Sequence, residues 1–488
     1  MVIDNLPEVF LSTGDVAYKV SRLLKDGQVK KLTGNLYTSN VTDDVDKIVS
    51  TRLWEIVGLL FPGAIISDRT AFYMGPNKDH EIFIVSEKSR RPVKVGSYTI
   101  YPRPGAAVQP SDTPFMGNLF LASNARKYLE NMRVSRNKVS IEPRYLSQQE
   151  IEEKLDQYIR VNGEAALNKL RDDMRTLSAT LKLESEFNKI NSIISTLLRT
   201  HTSRLKSNVG IARSMGEEFD PERVVLFTAL YEALSSTAPV IRKTEQNFSP
   251  VLCFYESYFS NYIEGTKFAV SEAQDIVFNN KIPASRPDDA HDIAGTYAVI
   301  SSEHDMLRTP KNFDDFIDIL KKRHARIMEG RPEKEPGKFK TLLNQAGSTV
   351  FVEPNLVVGT LKQAFELYSR LDTAFARAVF MMCAIAEVHP FNDGNGRISR
   401  IMMNSELVAN NESRIIIPTI YRSNYLMALK GFSHNKITDS IIKTMDFAQK
   451  YTSQIDWTDL RTATDILQST NAFVEDAENI TALLRLPK

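Results

Sequence analysis

The sequence predicts a mainly α protein with a helix-and-hairpin module and a small mixed α/β segment at its N-terminus. Three observations carry that expectation. From about residue 148 almost to the C-terminus, apolar residues recur at helical spacing. Between 61 and about 147, "HEIFIVSE" and "VKVGSYTIYPRPG" alternate or run apolar between Gly and Pro stops, as strands do. In residues 1–60, helical patterns run into Gly27, after which Val29, Leu32, Leu36 and Tyr37 flank a Thr33-Gly34-Asn35 turn. Helix followed by a two-strand wing is the layout of a winged helix-turn-helix.

Each element has its own signal. In the winged module Lys19, Arg22, Lys25, Lys30 and Lys31 face one acid, Asp26, a stripe suited to DNA phosphates. The segment from 61 to 200 reads as mixed α/β with connecting helices. Within it Arg126, Lys127, Arg133, Arg136, Lys138 and Arg144 stand against Glu130 and Glu142, either a solvated face or a second nucleic-acid contact. Ser147 followed three residues later by Glu150 is the capping-box pattern that opens a helix. Residues 201–450 read as one helical domain, interrupted mainly by "EGRPEKEPGKFK" and by "QAGSTVFVEPN", where Thr349 to Val352 look like a short strand. Residues 451–488 read as a helical tail.

Composition excludes several classes. At 488 residues, 42% apolar and 25% charged, the chain is a multidomain globular protein, and its net charge of +1 leaves any nucleic-acid surface to a local patch. Two cysteines, Cys253 and Cys383, exclude a disulfide framework and a Cys-based zinc site and fit a reducing, cytoplasmic setting. The N-terminus lacks signal-peptide features, and the apolar run Ala378 to Ala386 is far shorter than the roughly 20 residues that span a bilayer.

The densest chemistry lies in "VHPFNDGNGRIS" and the Arg400 that follows it. Gly394, Asn395 and Gly396 lead from an extended His-Pro-Phe into a helical pattern, and a Gly-rich loop opening a helix presents free N–H groups at a positive dipole end. Arg397 and Arg400, three apart, suit the oxygens of a di- or triphosphate. Asp393 offers an oxygen to a hard cation. His389 is the one group with a near-neutral pKa, fit to be a general base. Together they read as nucleotide transfer. The nearest phosphate-loop lookalike, Gly330 to Lys338, has the wrong spacing and no Ser or Thr after the Lys.

Residues 205–450, with "HPFNDGNGRISR" at 389–400, resemble Fic-domain proteins, and residues 12–72 resemble winged-helix regulators of the AbiEi antitoxin type. The first resemblance implies a mainly α Fic domain, a helical core with a β-hairpin flap, transferring AMP from ATP to a Ser, Thr or Tyr hydroxyl of a protein. By it His389 takes the hydroxyl proton and Asp393 binds Mg²⁺ on the α- and β-phosphates. Gly394, Asn395 and Gly396 form the anion hole, Arg397 adds phosphate contacts and Arg400 holds the γ-phosphate. "TVFVEPN" stands where the family carries its target-pinning flap, and Tyr425 in "YRSNYLMAL" stands on the nucleotide side.

The same resemblance supplies a restraint. "FSNYIEGTKFAVSEA" places Ser260 and Glu264 on one helix face with Gly265 ending the pattern, and fits the (Ser/Thr)-x-x-x-Glu-(Gly/Asn) motif of self-inhibited Fic proteins. Glu264, on an inhibitory helix near 256–265, is expected to pair with Arg400 in place of the γ-phosphate. Implied partners are ATP, Mg²⁺ and a protein substrate, the chain itself included; DNA and a homodimer are further expectations, and no membrane is. Removal of AMP, transfer of another phosphate-linked group, and a DNA-binding regulator of toxin–antitoxin type remain the alternative readings.

Overall fold

A computed structural model describes residues 6–14, 16–87, 91–134, 140–238, 240–475 and 482–487. The chain divides into two compact units, Met1–Gly216 and Glu217–Lys488, so residues 451–488 fall inside the second unit rather than forming a separate tail.

In the first unit β1 (Val9–Leu11), β2 (Lys30–Thr33) and β3 (Leu36–Thr38) form an antiparallel sheet in the order β1-β3-β2. Gly34 takes φ 47° in the β2–β3 turn, a conformation that side chains resist. Among the described residues only one helix, Ala17–Lys25, precedes this hairpin. Val9 and Phe10, expected within a helical pattern, pair with Thr38 and Tyr37 instead, and the Phe10 and Tyr37 rings stack. The helices Val45–Thr51 and Leu53–Leu60 come after the hairpin and bury Ile48, Val49, Ile56 and Val57. A helix followed by a two-strand hairpin is the expected order, and a third strand, Val9–Leu11, precedes both.

β4 (Ile65–Ile66), β5 (Glu81–Val85), β6 (Val93–Val95), β7 (Tyr98–Arg103), β8 (Thr113–Phe115) and β9 (Leu119–Leu121) form a mixed sheet ordered β6-β7-β5-β4-β9-β8, with β5–β7 and β4–β9 parallel. The basic segment beside it is neither solvated nor open to nucleic acid as a whole. Arg126 is fully buried, 2.5 Å from Asp112 and 3.2 Å from Glu130, and Arg144 reaches Asp68 at 2.9 Å. Buried guanidinium groups need such partners. Lys127 lies over the Phe72 ring, while Arg136 and Lys138 fall outside the described residues. Ser147 and Glu150 close a reciprocal capping box on the helix Gln148–Leu181, which breaks at Gly163.

The second unit is a helical bundle around Ala374–Val388. That helix is apolar apart from Arg377 and Glu387 and buried at nearly every position, as a central helix must be. Its Val379, Met382 and Ile385 share a core with Ile398 and Ile401 of Asn395–Val408 and with Phe316 and Leu320 of Phe313–Ile327. Pro250–Ile263 is tied in by Glu256, which accepts from Arg414 at 2.6 Å and from Asn404 at 2.8 Å. The C-terminal segment packs on the same helix: the Phe473 ring stacks on Phe259, and Tyr255 and Thr464 share a 2.6 Å hydrogen bond. Gln345–Ala346 pairs antiparallel with Thr349–Val350 as a small hairpin, shorter than the expected Thr349 to Val352. Both cysteines are free and buried, and burial pushes the Cys253 thiol up to about 11. Among the described residues no helix is long and apolar enough to cross a membrane.

Candidate nucleotide-transfer site

The loop between Ala374–Val388 and Asn395–Val408 organises the site. His389 caps the first helix in the left-handed conformation, φ 50°, and Pro390 prevents the helix from continuing. Its Nδ1 lies 3.3 Å from the Ala386 carbonyl, which only accepts, so the ring proton belongs on Nδ1 and Nε2 is the basic nitrogen. The Phe351 ring, just past the hairpin, stacks on the imidazole at 3.8 Å and 6°. Burial, with Lys340 nearby, lowers the His389 pKa to about 4 against the pull of the Ala386 carbonyl, Glu264 and Asp393.

Gly394, φ 71°, is the N-cap of the second helix, whose N-terminus presents the backbone donors. The side chain of Asn395 turns back into the loop: its Oδ1 accepts the Phe391 N–H at 2.9 Å and its Nδ2 donates to the Phe391 carbonyl at 2.8 Å. Its side chain therefore braces the loop, and its contribution to an anion hole comes from the backbone. Asp393, half-buried, accepts the Gly394 N–H at 2.7 Å through Oδ1.

Arg400 is almost completely buried and faces the end of Pro250–Ile263. It donates through Nε to Ser260 Oγ at 3.0 Å, and through Nη2 to the Ser260 carbonyl at 2.8 Å and to Glu264 Oε1 at 2.7 Å. Burial alone would lower its pKa; the Glu264 carboxylate and Tyr425 outweigh that and hold it raised. A Cβ added at Gly396 would lie 2.1 Å from Glu264 Oε1, so the carboxylate sits on the first turn of the helix as well as on Arg400. It occupies the position where a helix N-terminus and a guanidinium would together hold a phosphate oxygen. Gly265, φ 98°, ends the segment with open space around it.

A cavity of about 450 Å³ is lined by Glu264, His389, Gly396, Arg400, Tyr425 and the hairpin residues 346–349, whereas Asp393, Gly394 and Asn395 are outside its lining. Tyr425, buried, contributes a wall, its hydroxyl pointing at Met382 Sδ.

Arg397 is placed differently from the expectation. Its guanidinium turns inward, with Nη1 2.8 Å from Asp292 in a charge contact that lacks hydrogen-bond alignment and Nη2 3.2 Å from Met328 Sδ. Asp292 also accepts from Arg331, so Arg397 is held between helices and does not line the cavity. The basic residues expected to meet DNA belong to the first unit. Lys19, Arg22, Lys25 and Lys31 are exposed, whereas Lys30 donates to the Asp43 carbonyl.

Several residues that support the site carried no sequence signal. Asn344 donates to the His389 and Phe391 carbonyls, the Lys340 N–H donates to Pro390, and Arg422 donates to the Ile263 carbonyl at the end of the Glu264 helix. Their residue types are ordinary, and only long-range contact reveals them.

A sequence profile described as the Fic/DOC family matches residues 313–407. "Protein adenylyltransferase fic-1" of Caenorhabditis elegans is 24% identical over 181 residues, 36% of this chain and 36% of its own. "Protein adenylyltransferase Fic" of Drosophila ananassae is 26% identical over 245 residues, 48% of this chain and 46% of its own. The matched stretch thus spans less than half the length of these curated relatives. The solved structure "Fic-1 (aa134 - 508) from C. elegans" aligns at 17% identity over 67% of this chain and 90% of that one, with a TM-score of 0.37. The contiguous profile match covers the loop and the helix that carry His389 and Arg400, and residues 313–407 are a Fic domain of the Fic/DOC family.

Proposed function

We propose that the chain is a protein adenylyltransferase restrained by its own Glu264. The observation that supports this most is the Glu264 carboxylate, 2.7 Å from Arg400 and set on the Gly396 turn, in the cavity that His389 lines. In the reaction the target hydroxyl oxygen bonds to the α-phosphorus of ATP and its proton passes to His389 Nε2. The bond from the α-phosphorus to the bridging oxygen breaks, pyrophosphate leaves, and AMP remains on the hydroxyl. Helix N–H groups and Arg400 hold phosphate charge once Glu264 withdraws. The hairpin offers strand edges to an extended target segment.

Mg²⁺ fits the donor set. Among the described residues no cluster of three or more His, Cys, Asp or Glu could hold a metal, but a hard cation bound to phosphates needs one or two carboxylates, and Asp393 offers one beside the cradle. Asp393 would hold the ion, which would neutralise charge on the α- and β-phosphates.

The test is transfer of label from α-labelled ATP. Glu264→Gly should raise modification about 10- to 100-fold, the size of a hydrogen bond to a charged group. No gain would sink the self-inhibition.

Two other readings have an observation behind them. Glu264 and His389 line one cavity, which would also suit removal of AMP with Glu264 orienting a water; modified target incubated with the unaltered chain and Mg²⁺ would lose its label. Lys19, Arg22 and Lys25, exposed at three-residue spacing on one helix, would suit DNA phosphates. A salt-dependent gel shift lost on Lys19→Glu/Arg22→Glu would support that reading, and no shift at low salt would remove it.

A further inference from the structure

His324 lies on the helix Phe313–Ile327, far from the motif in sequence and fully buried beneath it in space. Both of its ring nitrogens are engaged. Nδ1 stands 2.9 Å from the Gly337 N–H, and a backbone N–H can only donate, so Nδ1 is the bare acceptor. The ring is therefore neutral with its proton on Nε2. That proton points to the Asp393 carbonyl, 2.9 Å away. The ring also stacks on Phe391 at 3.6 Å and 4°, which fixes its plane.

This single donor bears on a peptide with two functions. The 393–394 peptide follows the side chain that would hold Mg²⁺ and opens the phosphate cradle. Its carbonyl is drawn down by His324, and its N–H is bonded by Asp393 Oδ1 at 2.7 Å. Gly394, φ 71°, lies so close to this helix that a Cβ would meet Met328 Sδ at 2.7 Å and His324 Nε2 at 3.4 Å. A glycine peptide without its anchor is free to turn over, which would carry a carbonyl dipole toward the phosphates and swing the carboxylate away from them.

We infer that His324 is a positioning residue of the transfer site: its Nε2–H holds the Asp393–Gly394 peptide so that the carboxylate and the helix N-terminus converge on the same triphosphate. The inference rests on the nucleotide-transfer reading, and it adds a residue that touches neither nucleotide nor target.

The experiment uses the full chain carrying Glu264→Gly as parent. His324→Phe keeps a flat ring against Phe391 and removes the donor. His324→Gln restores a donor toward Asp393 and an acceptor toward Gly337. Binding of ATP with Mg²⁺ is measured by calorimetry, alongside the Mg²⁺ concentration for half-maximal transfer, kcat, KM and the melting temperature. The Phe variant should bind ATP·Mg²⁺ about 10- to 100-fold more weakly and need more Mg²⁺, the usual size of losing an outer partner of a ligand group, and the Gln variant should recover most of both. A folded Phe variant that binds within twofold of the parent overturns the inference. If the Phe variant does not fold, His324→Met, neutral and without a donor, is held to the same criterion. A parent that binds ATP·Mg²⁺ without transferring AMP removes the transferase reading while the binding comparison still decides His324. A parent that does not bind it removes both.

Discussion

The loop at 389–394 and the helix end that faces it are built on opposite terms. Along residues 389–393, Asn344 bonds the carbonyls of His389 and Phe391, Lys340 that of Pro390 and His324 that of Asp393, while Asn395 closes on Phe391 from within. His324 and Asn395 among those partners are buried, and Asn344 is half-buried. The helix end at Ser260–Gly265 is tied by Arg400 to Ser260 and Glu264 and by Arg422 to Ile263, and Lys267 lies over the Tyr262 ring. The Glu264 side chain is 37% exposed, against 6% for Arg400. The difference supports the proposed restraint at Glu264. Withdrawal of Glu264, as proposed, asks least of the loop, whose His389, Pro390, Phe391 and Asp393 carbonyls are bonded, and most of the half-exposed carboxylate.

The largest effect that would sharpen this contrast is loss of the base. In a Glu264→Gly background, where the helix end no longer restrains the loop, His389→Ala should cut AMP transfer about 10²- to 10⁴-fold with ATP binding retained. Transfer within tenfold of the background would remove His389 from the reaction and leave the loop only a binding element.

The next test is pH. The groups facing His389 are Lys340, Glu264 and Asp393, and burial dominates, so its pKa is lowered to about 4 from an ordinary 6.5. The sign follows directly: the neutral base is present above that value, so transfer by the Glu264→Gly form should stay level from pH 8 to about 5 and fall below. An ordinary histidine would already have lost about thirtyfold at pH 5. The same depression makes folding stability fall as pH drops from 6.5 through 4, because the unfolded chain takes up the proton first. Each point therefore needs a melting curve beside it. A midpoint near 6.5 in a folded protein would mean that the imidazole is solvated in the working state.

The two regions were also unequally legible. The loop's reacting groups lie within a dozen positions, so residue type and spacing alone reached nucleotide transfer. Glu264 and Arg400 are far apart in sequence, and a Glu near a helix end has no signal of its own; the Fic resemblance supplied that pairing. For Arg397, spacing of three places it near Arg400 on the helix but says nothing of Asp292 on another helix, toward which its guanidinium turns. In the N-terminal module the ambiguity is on a shorter scale. Val9-Phe10-Leu11 is too brief for periodicity to separate helix from strand, and pairing with Leu36–Thr38 decided it. His324, Asn344 and Arg422 act by contacts that exist only after folding.

A smaller change tests the loop's own bracing. Asn395→Ala leaves the Phe391 N–H buried without its acceptor, so stability should fall by about 1–3 kcal/mol, read from denaturant midpoints at unchanged slope. Because Asn344 still holds the Phe391 carbonyl, the fold should survive and transfer should fall with the loop's order. Unchanged stability would mean that the bracing is redundant and the loop less rigid than its contacts imply.

The smallest expected effect separates the ties that Arg400 makes to Ser260 and Glu264 at the helix end. Ser260→Ala removes the hydroxyl that accepts from Arg400 Nε but leaves the Ser260 carbonyl and Glu264 on Nη2. One neutral acceptor contributes about 1 kcal/mol, so transfer in an otherwise unaltered chain should rise about two- to tenfold, well short of Glu264→Gly. The melting temperature should move little, because the Glu256–Arg414 pair and the packing against Phe473 still anchor the helix. If Ser260→Ala matched Glu264→Gly, restraint would lie in how the helix holds Arg400, and Glu264 would be a bystander at a flexible end. If it changed nothing, the carboxylate alone would carry the switch.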